Sequence, residues 1–253
     1  MTGTVTLVGG GPGSDDLITV GGARALAAAD VVLYDRLAPH DNLATLAPNA
    51  LLINVGKRPG HHAISQEAIE QLIVEHALAG STVVRLKGGD PYVFGRGSEE
   101  VIACQRAGVP VTVIAGVSSA IAVPAAVGIP LTHRGVSHMF TVVSGHAPLT
   151  DTELEHLAGL GGTIVVLMGV ANLAPIVQGL GRFGLAAATP VAIIERGFSA
   201  DQRTTITTIG GALGDAIGVT NPAVLVIGEV VRLAYSGDAT AAELYERATA
   251  LAS

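Results

Sequence analysis

Thr82-Val83-Val84-Arg85-Leu86-Lys87-Gly88-Gly89-Asp90-Pro91-Tyr92-Val93-Phe94-Gly95-Arg96-Gly97-Ser98-Glu99-Glu100 runs from a β-branched segment, through a loop dense in glycine, to Ser-Glu-Glu, a helix-start signal. The loop holds two adjacent glycines, an Asp-Pro step, then Gly95 and Gly97. Loops at strand ends are the usual ligand positions of α/β proteins. Two readings stay open for Gly88 to Pro91. One is a tight turn closed by the Asp90 side chain; the other, suggested by the surplus of glycine, is a ligand lying against the backbone.

The same alternation extends outward. Thr4-Val5-Thr6-Leu7-Val8 reads as a buried strand ending in Gly9-Gly10-Gly11-Pro12-Gly13, followed by an Ala-rich helix over 16–29 and a strand over 31–34. A third strand is expected at 51–55, then a helix from the cap Ser65 to about Ala79, strand 82–86, helix 98–107 and strand 109–114. Pro124 and Pro130 should break any long helix between Ala115 and Arg134. Beyond them, strands are expected at 138–144, 163–168, 190–195, 203–208 and 223–228, and helices at 172–180, 210–217 and 239–251. The Thr-rich run at 203–208 suggests antiparallel pairing. The fold class is therefore α/β, with mostly parallel or mixed sheets in an N-terminal domain over 1–116, a connecting segment over 117–135 and a C-terminal domain over 136–253. A crevice between two such domains is a natural place for a small molecule.

Hydrophobic residues make up 49% of the 253, aromatics only 3%, and there is no Trp, which suits Val/Ile/Leu sheets under Ala-rich helices. Charged residues at 14% and a positive mean hydropathy exclude a disordered chain. Neither a spanning helix nor a signal peptide is legible, so a cytoplasmic protein without membrane attachment is expected. A formal charge of −7 disfavours nucleic acid as a partner. Eight of the 14 basic residues nevertheless fall between Arg36 and Arg134, several beside glycines, which suits a polyanionic small molecule. Cys104 alone makes neither a disulfide nor a cysteine-based zinc cluster and reads as a small buried hydrophobe. His133 has no partner at metal-ligand spacing, so no metal site is expected.

A dinucleotide fingerprint at Gly9–Gly13 would need glycine at position 14, where Ser stands, and Pro12 interrupts the turn. In that nicotinamide-dependent alternative Asp35 would bind ribose. Asp35 and Lys57 both stand at expected strand ends, where an ionisable group reaches a crevice.

Taken in order, VGGGPG (8–13), VVLYDRL (31–37), RLKGGDPYVFGRGSEE (85–100), AGVSSAIAVPAAVGIPLTHRG (115–135), VSGH (143–146) and VVLMG (165–169) closely resemble the uroporphyrinogen-III C-methyltransferases of the tetrapyrrole methylase fold. The glycine loop marks only the wider family; YDRL, GRGSEE and PLTHR are more specific. No N-terminal dehydrogenase/ferrochelatase module is evident, as expected of a stand-alone enzyme. The resemblance implies a homodimer with S-adenosylmethionine folded into an inter-domain cleft. Its cofactor positions match Pro12, Gly88, Gly89, Asp90, Val93, Ser118, Ser119, Met168 and Gly197. Asp35 matches a proton acceptor, Lys57 a proton donor, and Arg96, Glu99 and Arg134 match substrate contacts. GPGSDDL stands where the family more often has Asp directly after GPG, and Ser118-Ser119 where Thr followed by Ser or Ala is commoner.

The implied reaction moves methyl groups from S-adenosylmethionine to carbons 2 and 7 of uroporphyrinogen III. It yields precorrin-1, then precorrin-2 for sirohaem or cobalamin, and releases S-adenosylhomocysteine. Alternatives are another precorrin methyltransferase of the same fold, an RNA or protein methyltransferase, and a non-catalytic tetrapyrrole carrier. Glu99 is expected either to orient Arg96 or to accept a pyrrole N–H.

Overall fold

The computed structural model describes residues 1–56 and 64–234, and the chain divides into two compact units after Ser118. The first is built on a five-stranded, wholly parallel sheet. Its strands are β1 (Thr4–Gly9), β2 (Val31–Tyr34), β3 (Leu51–Asn54), β4 (Thr82–Lys87) and β5 (Val111–Ile114), in the order β3-β2-β4-β1-β5. Side chains alternate between the two faces with period two. Val8, Val32, Val84 and Leu86 pack with Leu26 of α1 (Val20–Ala27) and Leu43 of α2 (Leu43–Leu46). On the opposite face Val5, Leu7, Leu33 and Val83 pack with Ile69, Ile73 and Ala77 of α3 (Gln66–Leu78) and Cys104 of α4 (Gly97–Arg106).

Ser65 caps α3, its hydroxyl accepting from the Ala68 N–H at 3.2 Å, as the sequence predicts. α1 is shorter than expected: residues 15–17 form a separate 3-10 turn, and Thr19 caps the helix by accepting from Gly22 N–H. The glycine loop after β1 therefore does not open directly into a helix N-terminus, as a dinucleotide fingerprint requires.

Because α1 leaves β1 on one face and α4 leaves β4 on the other, the chain reverses direction across the sheet between these neighbours. Such switch points normally open a crevice at the strands' carboxyl ends. Here the two loops are stitched together: Gly10 N–H donates to Lys87 O at 2.8 Å, Gly89 N–H to Gly11 O at 2.7 Å and Gly11 N–H to Gly89 O at 3.2 Å. The loop after β5 joins them. A Cβ on Gly9 would lie 2.8 Å from Gly89 O, and one on Gly116 would fall far inside contact distance of the same oxygen. Gly9, Gly89 and Gly116 are thus explained by three backbones in mutual contact, while Gly95 and Gly97 lie close to the Pro91 carbonyl of their own loop.

The second unit carries a mixed five-stranded sheet, β6 (Phe140–Ser144), β7 (Thr163–Leu167), β8 (Pro190–Glu195), β9 (Arg203–Thr208) and β10 (Ala223–Ile227), ordered β6-β7-β10-β8-β9. Only β6 and β7 pair in parallel; β9 is antiparallel to β8, as its Thr-rich alternation predicts. One face packs on α6 (Asp151–Leu160), α7 (Leu173–Arg182) and α8 (Ala212–Asp215), through Leu154, Ile176, Leu180 and Ala212. The other packs on α5 (Ser119–Ala126) through Ala120 and Val123.

Besides the shorter α1, the four-residue α2 is not among the expected elements. No long helix crosses the proline segment, as expected: α5 has eight residues and includes Pro124, where burial of Ala120, Val123 and Pro124 itself offsets a lost backbone bond. α6 was not predicted, although Thr150 and Glu153 form a capping box at its start. The helix predicted at 239–251 lies outside the described residues.

Gly116→Ala is expected to destabilise the protein by about 1–3 kcal/mol through overpacking against backbone, read as a lower urea midpoint at unchanged slope.

Candidate active site

Asp35 follows β2, and by the sheet's alternation it continues the face that carries Leu33 toward α3 and α4. Arg85 and Lys87 share that face of β4. In a strand otherwise lined by Val and Leu, two cations so placed need anions within the core. Glu100, one turn into α4 and wholly buried, supplies one: its Oε1 accepts from Arg85 Nε at 3.0 Å and from Lys87 Nζ at 2.9 Å. Asp35 Oδ1 accepts from Arg85 Nη2 at 2.6 Å, and Arg85 Nη1 donates to Leu86 O at 3.1 Å. Arg85 is 2% exposed, whereas the Asp35 side chain is 31% exposed. Asp35 Oδ2 makes no hydrogen bond among the described residues. Burial works against the Arg85 charge, yet Asp35 and Glu100 more than compensate and its pKa is raised. Lys87 goes the other way: burial, then the Arg85 cation, pushes its ammonium below the ordinary value despite Glu100. Of the two residues expected to be catalytic, Asp35 is thus held on a buried guanidinium, and Lys57 lies outside the described residues. Lys87 and Glu100 were not anticipated.

The remaining candidates of the first unit line the carboxyl ends of its strands. Pro12 follows β1, Gly88 to Glu99 follow β4, and Ser118 follows β5. Asp90 closes an Asx turn, Oδ1 accepting from Tyr92 N–H at 2.8 Å, while Oδ2 accepts from Gly116 N–H at 3.0 Å. The tight-turn reading of this loop is therefore realised. Just beyond it, Tyr92, Val93 and Phe94 expose apolar surface. Arg96 is gripped by Glu99 through Nε–Oε1 at 2.9 Å and Nη2–Oε2 at 2.6 Å. This hydrogen-bonded pairing raises the Arg96 pKa and lowers that of Glu99. Of the two roles open to Glu99, orienting Arg96 is the one the contacts display.

In the second unit, Ser119 opens α5, and Arg134 is exposed with no ion pair among the described residues. Met168 follows β7, and Gly197 follows β8. A Cβ on Gly197 would sit 2.7 Å from Val123 Cγ2, which gives that glycine a packing role.

One pattern links these scattered positions. Among the described residues, five non-glycine residues have left-handed backbone: Phe94 (φ 55°), Arg96 (57°), Met168 (57°), Arg196 (48°) and Phe198 (66°). Arg96 and Met168 are themselves candidates; Phe94 adjoins Val93, and Arg196 and Phe198 flank Gly197. Such conformations are unfavourable for bulky side chains and gather where a backbone is shaped for a ligand. No group of three His, Cys, Asp or Glu among the described residues is placed to hold a metal ion. No helix among them is long and apolar enough to cross a membrane.

Residues 4–213 match the family described as Tetrapyrrole (Corrin/Porphyrin) Methylases. Over 242 residues the chain is 46% identical to a uroporphyrinogen-III C-methyltransferase of Methanocaldococcus jannaschii, covering 92% of this chain and 98% of that one. It is 45% identical to an S-adenosyl-L-methionine-dependent uroporphyrinogen III methyltransferase of Methanosarcina barkeri, covering 91% and 93% of the two chains. A crystal structure of uroporphyrin-III C-methyl transferase from Thermus thermophilus, complexed with S-adenyl homocysteine, aligns with a TM-score of 0.77 at 41% identity. That alignment covers 91% of this chain and 100% of the other. The chain belongs to the tetrapyrrole methylase family. Within that family, these relatives of matching length are uroporphyrinogen-III C-methyltransferases.

Cys104, buried on α4, has its thiol pushed up to about 11 by burial and by neighbouring Glu100. It is expected to resist a thiol-exchange reagent in the native protein at about pH 8, and to react fully once unfolded in denaturant. Rapid native labelling would show that the α3/α4 face opens readily.

Proposed function

We propose that this protein transfers methyl groups from S-adenosylmethionine to carbons 2 and 7 of uroporphyrinogen III, forming precorrin-2 by way of precorrin-1. The observation that supports this most is near-full-length identity to uroporphyrinogen-III C-methyltransferases, together with left-handed backbone at or beside the matching site positions. When bound, S-adenosylmethionine supplies a methyl group already activated by its sulfonium centre and departs as S-adenosylhomocysteine. The residues suit such a ligand. Turned backbone at Phe94, Met168 and around Gly197 offers peptide groups, and exposed Val93 and Met168 offer apolar surface. Pro12, Gly88, Gly89, Asp90, Ser118 and Ser119 complete the proposed cofactor set.

The macrocycle carries eight carboxylates and an electron-rich ring carbon, so the protein's tasks are to hold it and to accept a proton. Arg96 keeps Nη1 for a substrate carboxylate while Glu99 occupies its other edge. Arg134, exposed and without an ion pair among the described residues, takes another. As the new C–CH3 bond forms, the electron pair of the broken S–CH3 bond stays on sulfur and the ring system sheds one proton. Asp35 Oδ2 accepts it, with Oδ1 fixed by Arg85. Lys57 is assigned the complementary proton donation by resemblance alone. We further propose a cytoplasmic homodimer, to be checked by sedimentation equilibrium.

The decisive test is mass spectrometry of the product from uroporphyrinogen III. Two added methyl groups are expected; none, with methylation of a later precorrin, would assign the protein to another member of the family. Arg134→Ala should raise substrate KM about ten-fold, the worth of one charged hydrogen bond, with S-adenosylhomocysteine affinity intact. Equal loss of both would make that arginine structural. Asp35→Asn should lower kcat about 100-fold with the circular dichroism spectrum unchanged.

A further inference from the structure

Behind Asp35, three more charged side chains reach into the core of the first unit. Arg85, Lys87 and Glu100 are 2%, 3% and 0% exposed. Glu100 uses its two oxygens very unequally. Oε1 accepts from Arg85 Nε, from Lys87 Nζ and, at 3.4 Å, from Gln66 Nε2, whereas buried Oε2 has no partner among the described residues. Exchanging a buried ion cluster for well-packed apolar side chains is commonly neutral or stabilising, so stability alone gives little reason to keep one. The geometry offers another reason. Arg85 and Lys87 lie on one face of β4, and the carboxylate between them is Glu100. With both cations drawn to Oε1, Arg85 meets Asp35 through a single oxygen, and Lys87 makes no hydrogen bond to Asp35. A donor on Asp35 Oδ2 would stabilise the ionised carboxylate and block the atom assigned to proton acceptance.

We infer that Glu100 is a positioning residue for the methyl-transfer reaction: it pins both buried cations so that Asp35 is oriented through Oδ1 while Oδ2 stays open. The inference rests on Asp35 being the proton acceptor. Arg85 is the intermediary, because its guanidinium bonds Glu100 through Nε and Asp35 through Nη2 at once. Glu100 touches neither substrate nor cofactor in this scheme.

The test measures kcat and KM for uroporphyrinogen III, and the Kd for S-adenosylhomocysteine, on the full-length protein. Glu100→Gln leaves two buried cations against one anion. It is expected to lower kcat about ten-fold or more, with the Kd for S-adenosylhomocysteine unchanged. Adding Lys87→Met removes the surplus charge and should recover most of the lost kcat. Wild-type kcat in Glu100→Gln overturns the inference, as does a parallel loss of kcat and Kd that Lys87→Met fails to relieve. Should Glu100→Gln not fold, Arg85→Lys replaces it: an ammonium cannot span both carboxylates, so kcat should fall at constant Kd, and wild-type kcat would again overturn the idea. Asp35→Asn, measured alongside, separates the two levels. Full turnover there removes the proton-acceptor role itself, whereas a slow Asp35→Asn beside a fast Glu100→Gln removes only the role of Glu100.

Discussion

Three backbones in contact at Gly9, Gly89 and Gly116 set the terms for the first unit. Hydrogen bonds between the β1 and β4 loops, and from Gly116 N–H to Asp90, bind the carboxyl ends of β4, β1 and β5 into one rim. A side chain larger than hydrogen at the contact would force these loops apart. Among the described residues, everything proposed to meet ligand in this unit hangs from that rim or from the β2 end beside it. The constraint is steric rather than attractive: the hydrogen bonds determine where the loops go, and the absence of Cβ atoms permits it.

One layer below, charge rather than space is the limiting quantity. Arg85 and Lys87 enter the core on a strand that gives them no water, so their energies depend on Glu100 and Asp35. The cluster is formally neutral as a whole and balanced only as a whole. Arg85 is well suited to the junction, since its planar fork reaches Asp35, Glu100 and the Leu86 carbonyl together.

Elements with strong local signals were legible in the sequence. Apolar, mostly β-branched runs marked the ten strands of the described residues to within a residue or two, and Ser65 announced its helix. Candidate site residues emerged from motif resemblance, and most fall at strand ends or in the loops that follow them. The purpose of the glycines was only half legible, because Gly9, Gly89 and Gly116 meet across more than a hundred residues of chain. Glu100 looked like an ordinary acid at a helix start; its partners are 13 and 15 positions away, on another element. A signal did exist: Arg-Leu-Lys inside a buried parallel strand places two cations on one face, and that pattern demands a buried anion. α6 was overlooked although Thr150-x-x-Glu153 spelled out its capping box. Pro124 did mark a segment without a long helix: α5 runs only eight residues and holds the proline through packing.

Strand order also governs when the first unit can assemble. β1 lies between β4 and β5, so the first strand of this unit gains one neighbour only with residues 82–87 and the other only with residues 111–114. β2 and β3 can pair with each other sooner, but they reach the centre of the sheet only through β4. Until then β1 is an apolar strand whose sheet partners are still to come, a consequence of pairing between segments far apart in the chain. The unit's last strand, β5, thus completes the setting of its first.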